Sequence, residues 1–116
     1  MSNTATITGL LIPDQGTPTL VEVENHWRTI AAAIGADYIE TVYSDVAEEA
    51  GLVVVVDEWG RITGRRGVNM PATLLFGHPT GPLVGDVLIL GDDDEEFTSI
   101  PQAAADLLLG HTPAGA

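Results

Sequence analysis

Three of the chain's four basic residues, Arg61, Arg65 and Arg66, stand close together and are interleaved with Gly60, Gly64 and Gly67. Guanidinium forks set among glycines that tolerate positive φ can hold a phosphate or a carboxylate. The spacing matches neither the phosphate loop ending in Lys-Ser/Thr nor the dinucleotide fingerprint. The expectation is therefore a weak ligand site, against which stands the plainer reading that these arginines pair with surface carboxylates.

A second group is the acidic run Asp92, Asp93, Asp94, Glu95 and Glu96. Its alternating carboxylates do not make an EF-hand, because Phe97 falls where the loop needs Gly and Ala103 where it needs Glu. It reads as a candidate contact for a basic partner, or as a solvated run whose charge favours the N-terminus of the next helix. His26, His78 and His111 have no paired spacing, so no metal site is expected. Ser44 and Ser99 lack the strained Gly-x-Ser-x-Gly turn of a nucleophile elbow. Neither a catalytic residue nor a cofactor is assigned. Among Trp27, Trp59, Tyr38 and Tyr43, Trp59 is the best candidate for a partner anchor, because the turn Asp57-Glu58-Trp59-Gly60 displays it.

The chain has 17 Asp plus Glu against four Arg and no Lys, a formal net charge of −13. Such a surface repels nucleic acid and anionic lipid, since phosphate binding depends on clustered basic side chains. The functional reading of this charge is a protein that docks on a partner's basic surface, while solubility or salt adaptation accounts for the acidity without any partner. With no cysteine there is no disulfide framework or thiolate chemistry. The first residues lack a basic region before an apolar run, and no apolar stretch reaches the roughly 18–20 residues of a membrane span, so a cytoplasmic protein is expected.

These groups need a scaffold. Leu52 to Val56 is unbroken apolar sequence with four β-branched residues, which predicts a strand buried on both faces at the centre of the core. Arg61 to Thr63 can return from it as a short strand. Ala5 to Ile12 and Thr19 to Glu24 flank the turn Pro13-Asp14-Gln15-Gly16-Thr17-Pro18 and predict a hairpin. Tyr38 to Tyr43 and Val84 to Leu90 predict further strands, the latter with a bulge or close backbone approach at Gly85 and Asp86.

Asn25 is the expected N-cap of a helix whose Trp27, Ile30, Ala31 and Ile34 share the core face and which ends at Gly35. Ser44 to Ala50 predicts a turn or a single helical turn. Asn69 is the expected cap of a short helix with Pro71 in its first turn. Ser99 and Gln102 predict a capping box for a last helix presenting Ile100, Ala103, Ala104, Leu107 and Leu108 to the core. The reading is one α+β domain over residues 1–110, with a mixed or mainly antiparallel sheet of five to six strands, two main helices, and a flexible tail over 111–116. An unpaired sheet edge in Tyr38 to Tyr43 or the first hairpin would permit self-association.

The order of short motifs, Leu20 to Glu24, the helix through Ile34, Tyr38-Ile39-Glu40, Leu52 to Gly60, Asn69 with Ala72-Thr73, Val84 to Val87 and Phe97-Thr98-Ser99, resembles a family of small domains of unknown function found mainly on phages, plasmids and other mobile elements. The resemblance runs from about Leu11 to Leu109. The Gly and Pro-rich stretch from Gly77 to Pro82 departs from the family pattern. The family carries no assigned reaction and no catalytic residues. It implies context more than chemistry. Taken with the acidic surface, that context gives the expectation of a non-enzymatic accessory protein that binds a macromolecule, in its sharpest form an acidic inhibitor that covers the basic face of a host DNA-binding or defence protein. The alternative from the residues alone is a nucleotide-sequestering module built on Arg61 to Arg66.

Overall fold

The computed structural model describes residues 5–42, 44–60, 67–76, 81–93 and 96–110. Arg61 to Thr63, Arg65, Arg66, Tyr43, His78, Asp94, Glu95 and the tail lie outside them. In chain order the strands are β1 (Thr6–Ile12), β2 (Thr19–Glu24), β3 (Ile39–Val42), β4 (Leu52–Asp57), β5 (Val87–Asp92) and β6 (Phe97–Thr98). The helices are α1 (Trp27–Ala33), α2 (Asp45–Glu49), α3 (Met70–Phe76) and α4 (Gln102–Leu108).

Every strand pairing in the sheet is antiparallel, in the order β2-β1-β5-β4-β3, with β6 also on β5. The α+β class is as expected. The centre is not: β4 is interior, but the middle strand is β5, whose Val87, Leu88, Ile89 and Leu90 are all fully buried. Both strands read as unbroken apolar runs because helices cover both faces of the sheet. On one face Leu10, Ile12, Leu52, Val54, Val56, Val87 and Ile89 pack against Ala47 of α2, Ala72 and Phe76 of α3, and Ala105 of α4. On the other, Ile7, Val23, Val55, Leu88 and Leu90 pack against Ile30 of α1 and Ile34, the C-cap of that helix. Burying each such aliphatic side chain contributes on the order of 1.5–3 kcal/mol.

Two expected caps belong to other residues. His26 caps α1, its Nδ1 accepting from the Arg28 N–H over 3.1 Å, while the Asn25 amide donates to the Phe97 carbonyl. Pro101 precedes α4 with no side-chain cap, while Ser99 Oγ accepts from the Thr8 N–H over 2.9 Å. In both places the polar side chain is tied to a strand distant in sequence, β6 for Asn25 and β1 for Ser99, and the helix starts later. Starting α4 at Gln102 also turns its face: Ala105 is buried with Ala104, Leu108 and Leu109 partly so, whereas Ala103 is exposed and Leu107 is 78% exposed.

Asn69 is the interior polar junction. Its side chain is fully buried, donates to the carbonyls of Ile12 and Gly85, each over 2.8 Å, and accepts from the Ala72 N–H over 3.0 Å as the expected cap of α3. One amide thereby joins the end of β1, the turn before β5 and the start of α3. Gly85 and Asp86 do not lie inside a strand as expected: β5 starts at Val87, Val84 makes only an isolated bridge to Val68, and Gly85 turns the chain between them at φ +76° while its N–H donates to the Gly67 carbonyl, the close backbone approach expected there.

Candidate partner-binding site

The sequence periodicity of α1 assigns Trp27 to the core, but the structure places it at the surface, 41% exposed. Helical side chains lean toward the N-terminus. At the first residue of α1, Trp27 therefore lies short of the positions from which Ile30, Ala31 and Ile34 reach the sheet.

Its ring meets Tyr38 instead. The two planes are 9° from parallel with centroids 5.7 Å apart, the offset stacking that aromatic pairs favour. His26 continues the stack on Trp27 at 6.3 Å and 20°. The Arg28 guanidinium carbon lies 5.3 Å from the Trp27 centroid, within cation–π range.

Local sequence explains why Tyr38 returns to the start of α1. Gly35 takes φ +67°, and the Ala36 N–H donates back to the Ala31 carbonyl, reversing the chain at the helix end. The Tyr38 carbonyl then accepts from the Glu58 N–H over 3.1 Å, fixing this residue to the turn beyond β4. That bond brings the turn carrying Trp59, 47% exposed, to the same edge of the sheet. The Trp59 N–H is held by Asp57 Oδ1 over 3.0 Å. Trp27, Arg28, Ala31, Ala32, Ala36, Asp37 and Tyr38 line a shallow open groove. The alanines keep it open; Asp37 and Glu58 are exposed, and Arg28 is the only basic Lys or Arg among the described residues.

The acidic run lies elsewhere. Asp92 ends β5, paired with Phe97, and Asp93 opens the turn to β6, where its Oδ1 accepts from the Glu96 N–H over 2.9 Å. Because Leu52 pairs with Gly91 while Ile39 pairs with Asp57, this turn and the Trp59 turn sit at opposite ends of β4, roughly 17 Å apart for a six-residue strand. Trp59 and the described carboxylates Asp92, Asp93 and Glu96 therefore do not form one patch. Arg61, Arg65, Arg66, Asp94 and Glu95 lie outside the described residues. Among the described residues no group of three or more His, Asp or Glu is arranged to hold a metal ion, and no helix is long and apolar enough to cross a membrane.

Sequence reasoning passed over the groove because Trp27 fits an apolar helical stripe. Tyr38, placed just beyond a helix-ending glycine and an exposed Asp37, was the available signal that the chain doubles back onto α1.

With this geometry in place, the family model for DUF3846, a domain of unknown function, matches residues 7–111. The chain belongs to that family. The match takes in the described sheet from Ile7 onward and the four described helices, the aromatic groove included. No curated protein matches the chain. A crystal structure of the small RNA methyltransferase HEN1 is similar in fold, with a TM-score of 0.64 at 12% identity over 93% of this chain. The chain spans 16% of the length of that protein, so the likeness describes a shared fold and carries no chemistry.

Proposed function

We propose that this DUF3846 domain is a non-enzymatic binding module that engages a basic-surfaced protein through the face carrying Trp27, Arg28 and Tyr38. The observation that carries the reading is the ordered, solvent-exposed stack of Trp27 on Tyr38. Trp, Tyr and Arg dominate binding energy at protein interfaces, because large rigid rings bury area at little cost in side-chain entropy. A net charge of −13 selects against nucleic acid and in favour of a basic partner. The finer form of this reading is an accessory protein of a phage or mobile element, active in the host cytoplasm, that masks the basic face of a host DNA-binding or defence protein.

The test is affinity capture from host lysate at low and high salt, run in parallel with wild-type protein and with Trp27→Ala and Tyr38→Ala. The reading predicts a partner that is released by salt and lost from both variants. Capture that is indifferent to both substitutions contradicts it. A thermal shift with nucleotides that disappears in Arg65→Ala with Arg66→Ala would favour the ligand-binding alternative instead.

A further inference from the structure

We infer that the groove between α1 and Asp37-Tyr38 is a seat for a guanidinium group, an arginine side chain of the partner. This rests on the protein-binding reading above and names the chemistry of its central contact. Three observations converge. The groove presents stacked aromatic rings, whose faces carry the negative end of the ring quadrupole. Its lining includes the exposed Asp37, a carboxylate to pair with a cation. The protein's own Arg28 sets a guanidinium carbon 5.3 Å from the Trp27 centroid, within the range of a cation–π contact on this ring.

A planar, weakly hydrated guanidinium stacks on a ring face at less desolvation cost than a compact ammonium. Small side chains at Ala31, Ala32 and Ala36 leave room for its aliphatic stem. Arg28 is then an internal competitor. An incoming arginine either displaces it from Trp27 or takes the remaining ring surface against its repulsion, so removing Arg28 frees aromatic area and deletes a like charge.

The probe is Nα-acetyl-arginine amide, titrated into the full chain with the neutral citrulline derivative as its isostere. A Trp59→Phe background leaves the Trp27 indole N–H as the single indole reporter in two-dimensional NMR. The expected result is a saturable shift of that signal with arginine and little with citrulline. Tyr38→Ala and Asp37→Asn should each weaken it by about 2- to 5-fold, the scale of one exposed cation–π contact, and Arg28→Ala should strengthen it by a similar factor. An unchanged melting temperature in each variant shows that the fold is intact.

Equal shifts from citrulline, no saturable shift from arginine, or a stronger response to adenosine monophosphate than to arginine overturns the guanidinium assignment. A salt-released partner that depends on Trp27 while the arginine probe is silent leaves the protein-binding reading standing and removes this inference. Specific arginine binding with no partner captured does the reverse.

Discussion

Asn69 and Ile12 stand 57 positions apart, yet the side-chain amide of one donates to the carbonyl of the other over 2.8 Å in the interior. The same amide donates to Gly85, and its oxygen caps α3. Replacing it strands two backbone carbonyls and one N–H away from water, each costing about 1–3 kcal/mol when left unsatisfied. Asn69→Ala should therefore destabilise the domain by roughly 3 kcal/mol or more, measured by urea unfolding with an unchanged m-value. Asn69→Asp keeps the cap but removes both donors and buries a charge, and should be at least as damaging.

Gly91 shows a requirement of a different kind. A Cβ at this position would lie in overlap with the Ser99 carbonyl and Thr98 Oγ1, where β6 crosses close beside β5. The obstacle includes backbone, so Gly91→Ala must push Phe97 to Ser99 away from β5. The expected loss is about 1–3 kcal/mol, with the Asn25 bond to Phe97 weakened as well. Gly60→Ala meets nothing nearer than 3.5 Å and serves as the tolerated control.

The rotation of α4 is directly measurable. Leu107 is 78% exposed and Ala105 is buried, so Leu107→Ala should change stability by less than about 0.5 kcal/mol. Ala105→Leu should cost roughly 1–3 kcal/mol by overpacking. Thermal melts of the two variants that show the opposite order would return Leu107 to the core face that its sequence spacing predicts.

Ser44 is buried and caps α2, its Oγ accepting from the Ala47 N–H over 3.4 Å. Ser44→Ala should cost about 0.5–2 kcal/mol in urea unfolding, and Ser44→Thr, which keeps a capping hydroxyl without burying a charge, should cost less.

The strands were the most legible part of the sequence because unbroken apolar runs at Leu52 and Val87 have no other economical use in a short chain. Caps were less legible. Asn25, Ser99 and Asn69 have the same local credentials, but two of them are drawn off by partners distant in sequence, Phe97 and Thr8, and only tertiary structure decides which. The groove was hidden for a related reason: helical periodicity places Trp27 beside Ile30 and Ile34 but does not reveal that the sheet fails to reach the first turn. The choice of Trp59 as the displayed ring followed from turn chemistry, which acts locally. Its proximity to Tyr38 depends on the β3–β4 register and could not be read from the chain.

Hydrogen exchange of the domain, alone and with the protein it captures from host lysate, tests the central claim most directly. The account predicts slowed exchange over residues 26–38 and in the Glu58–Trp59 turn, with the amides of α3 and α4 unchanged. Protection confined to the face bearing Val46, Met70 and Leu74, all exposed apolar residues of α2 and α3, with residues 26–38 unaffected, would contradict it.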